Sequence, residues 1–321
     1  MTASPVPALA DLLPIPSALD GGLATELEAR GYDLAHHLWS AHLLADDPDA
    51  IRRLHLDYYL AGARVAISAS YQASRTGFIA SGMDADEADA LLRRSVRLAR
   101  QARDQALTQG VRGPLLVAAS VGPFGAIRHD GSEYRGRYGI PRAQLRAFHE
   151  ERLAVLVAEA PDLLAVETIP DVEEAEVLVE LLAGSDVPAW ISFSCTAGGT
   201  TCAGQPFAEA VTVATSTDRT IAVGANCTAA EHIDAVLAAA RAVTELPLVV
   251  YPNAGGTWDA ATGAWTDVVS KDLPAAVVRR WVGAGAALVG GCCGLGPDAV
   301  AGIAGAIATP ADIADGSPQE G

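Results

Sequence analysis

Three of the five cysteines in the 321-residue sequence stand where two predicted strands end. Cys227 follows the run Ile221–Asn226, and the adjacent pair Cys292 and Cys293 follows Ala287–Gly290. Zinc binds thiolates tetrahedrally, and three protein thiolates leave one coordination position open, as in catalytic zinc sites. Glycines flank the pair on both sides and allow neighbouring residues to face one ion. Free cysteines are also among the most buried residue types, so packing remains an alternative.

Two other roles for the cysteine pair fit the sequence less well. A disulfide between neighbouring residues would be strained, and a reducing compartment would open it. The sequence lacks the repeated C-x-x-C spacing of a structural zinc ribbon. The cysteines are therefore interpreted as metal ligands or as packing residues.

Short apolar runs rich in β-branched residues recur along the chain, and each leads into a longer helical pattern. Most runs are continuously apolar rather than alternating, which is typical of strands buried on both faces of a parallel sheet. The eight predicted strands are Ser17–Asp20, Val65–Ser70, Leu115–Val121, Leu163–Glu167, Ala189–Ser194, Ile221–Asn226, Leu248–Tyr251 and Ala287–Gly290.

Start signals mark the helices between these runs. Asp47 before Pro48 is typical of an N-cap followed by proline at the first helical position, and Asp84 and Pro141 open two further helices. The remaining predicted helices span 172–183, 206–215, 230–243, 273–283 and 297–308.

Eight strand–helix units predict an α/β fold, namely a (β/α)8 TIM barrel forming a single domain. A doubly wound open sheet is the rival architecture. We predict that the barrel spans 13–308, between tails at 1–12 and 309–321 that are rich in proline, glycine, serine and charge.

The active site of a TIM barrel lies at the C-terminal ends of its strands. Polar and sulfur-bearing residues concentrate at the predicted ends in this sequence, where the fold would form a pocket. They include Asp20, Gly21, Gly22, Ser70, Glu167, Asn226, Cys227, Tyr251, Cys292 and Cys293.

Eight segments at or near these ends carry a family resemblance. They are DGGLATELE at Asp20–Glu28, SASYQAS at Ser68–Ser74, SVGPFGA at Ser120–Ala126, DGSEYRGRY at Asp130–Tyr138, ETIP at Glu167–Pro170, GANCT at Gly224–Thr228, YPNAG at Tyr251–Gly255 and GGCCG at Gly290–Gly294. In these segments the sequence resembles the homocysteine S-methyltransferase family, and most closely its S-methylmethionine-using branch. The match runs in order from about residue 13 to about 308, and the pairing of GANC with GGCC is its most specific part.

The resemblance implies a TIM barrel that holds one Zn²⁺ per chain through Cys227, Cys292 and Cys293. It also implies an enzyme that transfers a methyl group to homocysteine to make methionine. The expected donor is a sulfonium, either S-methylmethionine or S-adenosylmethionine. A coordinating thiol is deprotonated by its metal, so homocysteine would react as the thiolate, which is the nucleophilic form.

The substrates' charged groups need partners of their own. The family places a carboxylate in the ETIP-like segment, so Glu167 is expected to accept a hydrogen bond from the homocysteine ammonium. Asp20 is a second candidate or a turn residue, the amides of Gly21 and Gly22 are candidates for the substrate carboxylate, and Ser70 is a further donor.

Asn226 is expected to orient Cys227. Aromatic faces at the barrel mouth can stabilise a sulfonium cation, and the candidates are Phe124, Tyr71, Tyr251 and Trp258. Ordinary packing is the alternative for each, and it is favoured for Trp258.

Several residues and reactions remain as alternatives. Cys195 and Cys202 lie outside the family's ligand positions and are expected to be structural or incidental, and His36 and His37 are expected in a surface loop. A selenocysteine or another thiol could be the acceptor. A zinc-dependent hydrolase on the same barrel is disfavoured because its site would be expected to contain histidine. A barrel with a merely structural zinc is the non-enzymatic alternative.

Composition restricts the partners. The formal net charge of −17 repels phosphate backbones, which argues against nucleic acid. No apolar run reaches the roughly 20 residues that a membrane helix needs, and no targeting segment is visible, so a cytoplasmic location without membrane contact is expected. The sequence leaves the oligomeric state open.

Overall fold

Eight parallel strands form the central sheet of the computed structural model, which describes residues 6–34, 39–128, 130–255, 257–259, 264–266 and 271–309. The strands are β1 (Ser17–Ala18), β2 (Val65–Ile67), β3 (Leu116–Val121), β4 (Leu163–Ile169), β5 (Ala189–Phe193), β6 (Thr220–Ala229), β7 (Leu248–Asn253) and β8 (Ala286–Val289). Their order around the sheet is β1-β8-β7-β6-β5-β4-β3-β2. A parallel bridge from Leu19 to Val65 links the first strand to the last in this order. The predicted TIM barrel is confirmed.

Helices surround the barrel and connect its strands. They are α1 (Leu9–Leu12), α2 (Leu23–Ala29), α3 (Leu43–Asp46), α4 (Pro48–Leu60), α5 (Arg75–Ala80), α6 (Ala85–Thr108), α7 (Arg142–Ala158), α8 (Val172–Leu182), α9 (Phe207–Ala214), α10 (Ile233–Arg241), α11 (Ala275–Gly283) and α12 (Pro297–Ala308). The predicted start signals are confirmed at three helices: Asp47 caps α4 by accepting from the Ala50 amide at 3.1 Å, Asp84 caps α6 in a capping box with Glu87, and Pro141 is the N-cap residue of α7. Among the described residues, no helix has the length and apolar character to cross a membrane.

The core has two layers. Every residue of β3, β4, β5 and β7 is buried, which explains why these strands read as continuous apolar runs. One layer lies between the sheet and the helices, and the other fills the barrel around Trp190 and Leu288.

Helix α1 packs Leu9 against the inner layer, where this side chain is 1% exposed. It lies within residues 1–12, which the sequence predicts as a tail, and Leu13 packs in the same layer. Of the predicted C-terminal tail, only Thr309 lies within the described residues.

Short hairpins and 3₁₀ turns lie in the loops at the C-terminal ends of the strands. Cys195–Thr196 pairs with Thr200–Thr201 after β5, and Thr257–Asp259 pairs with Ala264–Thr266 after β7. Two 3₁₀ turns, Phe124–Ile127 and Ser132–Tyr134, follow β3. These elements are too short for periodicity to reveal them, and all of them lie at the end of the barrel where the site is expected.

Candidate active site and metal centre

Cys227 lies near the end of β6, at a point where the strand leaves regular pairing. Its backbone is left-handed, with φ of 47°, an uncommon conformation for a residue other than glycine. The register between β6 and β7 shifts between Asn226 and Ala229. The bend therefore interrupts the alternation that would otherwise fix the direction of this side chain.

Cys292 and Cys293 follow β8 through Gly290 and Gly291. A side chain at Gly290 would meet the carbonyl oxygen of Asp20 at 2.8 Å, so this close approach to the first strand requires glycine. The Cys292 amide donates to the Pro252 carbonyl at 2.8 Å, which ties the segment to the end of β7. The pair is thus held by backbone contacts with both neighbouring strands.

The three sulfur atoms form one cluster. Cys227 Sγ lies 3.1 Å from Cys292 Sγ and 4.0 Å from Cys293 Sγ, and the last two sulfurs are 4.0 Å apart. All three cysteines are free and half-buried. Within the described part of the chain, no other group of three histidine, cysteine or acidic side chains could hold a metal ion.

The cluster fits a metal ion with thiolate ligands. Sulfurs about 2.3 Å from one tetrahedral centre are about 3.8 Å apart, close to the two separations of 4.0 Å, whereas Cys227 and Cys292 are nearer to each other at 3.1 Å. Three sulfur donors without oxygen or imidazole suit a soft or borderline ion such as zinc. The thiols of Cys292 and Cys293 hydrogen-bond to Cys227 and lower its pKa well below the usual value, which favours the ligating thiolate.

Tyr134 also reaches the cluster, because its hydroxyl lies 3.6 Å from Cys227 Sγ. It belongs to the second 3₁₀ turn after β3 and is half-buried. The DGSEYRGRY segment carries part of the family resemblance, yet nothing in its spacing shows which of its residues would face the cysteines.

Glu167 is a buried carboxylate on β4. The Ser120 hydroxyl donates to its Oε1, and Tyr251 also hydrogen-bonds to the carboxylate. Burial raises the pKa of Glu167 to about 7 despite these bonds. A positive group placed beside it would restore the charged form.

Asp20 is the second predicted carboxylate, and it holds backbone in place. Its Oδ2 accepts a hydrogen bond from the Ile67 amide at 2.7 Å, which links the end of β1 to β2. Burial raises the pKa of Asp20 well above its usual value. One of its oxygens is thus engaged in closing the barrel.

The amide group of Asn226 is turned toward β4 and β5. Its Oδ1 accepts from the Thr168 amide at 2.7 Å and from the Ser192 hydroxyl at 2.8 Å, and its Nδ2 donates to Thr168 Oγ1 at 2.7 Å. Thr168 has φ of 61°, so this side chain holds a strained residue directly after Glu167. The two left-handed residues, Thr168 and Cys227, therefore lie on either side of Asn226.

The remaining predicted substrate residues divide between the interior and the mouth of the barrel. Tyr251 is 2% exposed, and its hydroxyl accepts from Trp190 Nε1 at 3.0 Å. Ser70 is fully buried and donates to the Ser120 carbonyl at 2.8 Å. These contacts place both residues beneath the site, where they support Ser120 and Glu167.

Gly21 and Gly22 lie against the segment after the cysteine pair. A side chain at Gly21 would come within 2.2 Å of the Leu295 carbonyl oxygen, and the Gly22 amide donates to that oxygen at 2.9 Å. The close approach explains the glycines, and it engages one of the two amides predicted to bind the substrate carboxylate.

Phe124 is half-buried and packs edge-on to Phe148, with 5.1 Å between the ring centroids. Its amide donates to Glu174 Oε1 at 2.6 Å. Glu174, 1% exposed, also accepts from the Tyr138 hydroxyl at 2.7 Å and pairs with His149 Nε2 at 2.8 Å. This network, which no sequence motif reveals, positions the Phe124 ring.

Arg152 is a second buried side chain that supports the site. It is 1% exposed and donates to the carbonyl oxygens of Gly122, Ser70 and Tyr71 at 3.0, 2.8 and 2.6 Å. These three carbonyls lie just beyond β2 and β3. The guanidinium therefore fixes the backbone that carries the candidate aromatic residue Tyr71.

The other sequence candidates lie outside the cluster or outside the described part of the chain. Cys195 is buried and Cys202 is half-buried, and neither joins the three-sulfur cluster. His36, His37 and the side chain of Trp258 lie outside the described part of the chain.

Comparison with known proteins gives consistent results. The family model described as homocysteine S-methyltransferase matches residues 18–307. The chain is 48% identical over 304 residues to homocysteine S-methyltransferase 4 of Zea mays, covering 91% of this chain and 89% of that protein. It is 45% identical over 288 residues to the homocysteine S-methyltransferase of Escherichia coli strain K12, covering 89% and 93%.

A solved structure is also similar. The crystal structure of the homocysteine methyltransferase MmuM from Escherichia coli in its metallated form superposes with a TM-score of 0.83 at 43% sequence identity. The alignment covers 94% of this chain and 99% of that one.

Proposed function

Since the chain belongs to the homocysteine S-methyltransferase family, we infer that its clustered thiols hold one Zn²⁺ ion and that a sulfonium compound supplies the methyl group. The enzyme is a methyltransferase that acts on homocysteine and forms methionine. The observation that carries the zinc proposal is the convergence of the sulfurs of Cys227, Cys292 and Cys293, which all lie within 4.8 Å of one another.

Zinc at these sulfurs would supply a Lewis acid that keeps the homocysteine thiol deprotonated at neutral pH. The protein residues then have two tasks, which are to hold the amino-acid end of homocysteine and to align the donor. The homocysteine sulfur forms a bond to the methyl carbon with its own electron pair. The bond from that carbon to the sulfonium sulfur breaks, and the electron pair leaves with a neutral thioether.

Glu167 is proposed to bind the homocysteine ammonium. Its carboxylate is buried and has a pKa raised to about 7, so a positive partner would stabilise its charged form. Ser120 and Tyr251 fix its orientation, and Asn226 holds the adjacent Thr168. Asp20, the Gly21 amide and Ser70 complete the surroundings, with Asp20 as a second carboxyl group.

The methyl donor is proposed to be S-methylmethionine or S-adenosylmethionine. Opposite charges disappear as the thiolate attacks the sulfonium, so a site that excludes water and holds both sulfurs in line favours the reaction. The ring of Phe124, positioned by Glu174 and Phe148, offers a face for the cation.

We further propose a cytoplasmic location, because three unpaired metal-binding thiols need a reducing compartment. The excess of acidic over basic residues, 39 to 22, favours small cationic donors over nucleic acid as partners.

A methyl-transfer assay tests the proposal directly. Purified protein is given homocysteine with S-methylmethionine, S-adenosylmethionine or betaine in parallel, and methionine is measured together with bound zinc. We expect close to one zinc per chain and activity with the sulfonium donors. Activity with betaine alone would contradict the proposed donor class.

Replacing Cys292 tests the metal assignment. Cys292→Ala should lose zinc and should lower the rate more than about 100-fold, because changes outside the ligand shell already cost 10–100-fold. Circular dichroism should show an intact barrel. Cys202→Ala is the matched control, since this half-buried cysteine lies outside the cluster and should keep both metal and rate. A metal-free Cys292→Ala enzyme with full activity would exclude the assignment.

A further inference from the structure

Glu133 is a buried acidic residue to which the proposed reaction assigns no role. It lies in the 3₁₀ turn Ser132–Tyr134 and is 8% exposed. Its Oε2 is buried, and no hydrogen-bond partner for it exists among the described residues. Burial raises the pKa of Glu133 to about 7, although the positive charge of Arg135 acts in the opposite direction.

The turn that carries Glu133 reaches the metal centre. The next residue, Tyr134, contacts Cys227 Sγ through its hydroxyl at 3.6 Å. The negative charge of Cys227 contributes to the raised pKa of Glu133, and the charge of Glu133 in turn raises the pKa of Tyr71. The carboxylate is thus within electrostatic range of both the sulfur cluster and a candidate aromatic residue.

The backbone around Glu133 is held tightly. A side chain at Gly125 would come within 2.4 Å of the Glu133 amide nitrogen, so the two 3₁₀ turns after β3 are in close contact. The Ser132 amide donates to Asp130 Oδ1 at 2.9 Å, and the Arg137 amide donates to Asp171 Oδ2 at 2.9 Å. The backbone that carries the carboxylate is therefore held in place by the fold before any ligand binds.

The other buried carboxylates near the site already have partners. Asp20 accepts from the Ile67 amide, Glu167 accepts from Ser120, and Glu174 binds three donors. Among the acidic residues that the structure describes, Glu133 alone has a buried oxygen without a partner.

We propose that Glu133 binds the α-ammonium group of the methyl donor and thereby selects sulfonium donors that are amino acids. The proposal rests on the function proposed above and adds the part of the donor that is recognised. Each of the two substrates brings one ammonium group, and Glu167 is assigned to that of homocysteine. Glu133 is the second carboxylate, and it is available for the donor.

Hydrogen bonding separates this group from other cations. A sulfonium carries positive charge but no N–H, so it can lie near the carboxylate without satisfying the unpartnered oxygen. An ammonium supplies charge and donors together, and such charge-assisted bonds are the stronger kind. Donors without an amino group should therefore bind without help from Glu133.

The test compares two donors in two variants. Glu133→Gln removes the charge and keeps the size of the side chain. Glu173→Gln is the matched control, because Glu173 is an exposed acid in the first turn of α8, at the same end of the barrel. The donors are S-methylmethionine, which has an ammonium, and dimethylsulfoniopropionate, which has none.

We expect Glu133→Gln to lower kcat/KM for S-methylmethionine by a factor on the order of 10 to 100, since the lost bond involves a charged group. For dimethylsulfoniopropionate, kcat/KM should change less than about threefold. If this compound is not turned over, its inhibition constant against S-methylmethionine should change by no more than that. Zinc content and the KM for homocysteine should not change. Glu133→Asp should recover part of the preference between the two donors.

Three results would overturn the proposal. They are equal losses with both donors, no loss with either donor, or a raised KM for homocysteine in place of the donor effect. The failure of the proposed function looks different, because wild-type enzyme would then form no methionine from homocysteine and S-methylmethionine.

Discussion

Cys227 and Glu167 show how single residues acquire reactivity from their surroundings. The pKa of Cys227 is lowered by the neighbouring thiols, whereas burial raises the pKa of Glu167 to about 7. Both side chains are ordinary in type and become unusual through placement. Each is therefore suited to a positive partner, which is proposed to be a metal ion for Cys227 and an ammonium group for Glu167.

Glu167→Gln should raise the KM for homocysteine by a factor on the order of 10 to 100, because the substrate ammonium then donates to a neutral amide oxygen in place of a carboxylate. Zinc content should stay near one per chain. Steady-state kinetics with varied homocysteine, combined with metal analysis, measures both quantities. An unchanged KM would remove Glu167 from the homocysteine site.

Strands β4 and β6 share a backbone irregularity at their C-terminal ends. Each contains a left-handed residue, Thr168 with φ of 61° and Cys227 with φ of 47°, and each shifts register against its neighbour there. Asn226 on β6 bonds the backbone and the side chain of Thr168 on β4. The bends that aim the proposed ammonium site and the metal site are thus coupled.

Asn226→Ala should lower the free energy of unfolding by about 2 kcal/mol, since it leaves the buried Thr168 amide unpaired. It should also raise the KM for homocysteine, because Glu167 precedes the released residue. Urea denaturation and steady-state kinetics give the two readouts.

A second change checks the cause of this loss. Thr168→Gly should recover part of the lost stability in the Asn226→Ala background, because glycine adopts a positive φ without strain. Additive losses from the two substitutions would show that Asn226 does not hold the bend.

His55 on helix α4 makes the stability of the whole fold depend on pH. His55 is fully buried, and neither ring nitrogen has a partner among the described residues. Burial lowers the pKa of His55 from 6.5 to about 4. The unfolded chain therefore takes up a proton below pH 6.5, whereas the folded chain resists it until about pH 4.

This difference makes acid destabilise the protein. Between pH 6.5 and about 4 the contribution of His55 should cost about 1.4 kcal/mol of stability per pH unit, and roughly 3 kcal/mol in all, with no effect above pH 6.5. His55→Leu should remove this component. Denaturation of both proteins at several pH values, in the same metal state, measures it. Parallel curves for wild type and His55→Leu would contradict the expectation.

The barrel was predictable because it depends on local patterns and residue types. Continuous apolar runs predict strands buried on both faces, and the N-cap residues Asp47 and Asp84 mark the starts of their helices. The cysteines were identified with help from the family resemblance, since their spacing alone left packing open. The short hairpins and 3₁₀ turns above the strands carry no such pattern.

The tertiary structure decided how these residues work. Thr168 and Asn226 are 58 positions apart in the chain, and only the closed barrel brings the amide of one to the strained backbone of the other. The engagement of Asp20 with Ile67 and the unpartnered oxygen of Glu133 likewise depend on segments that meet only after folding. Burial and hydrogen bonding between distant segments set pKa values and side-chain directions, whereas residue type and local periodicity determine the ligands available and the strands that carry them.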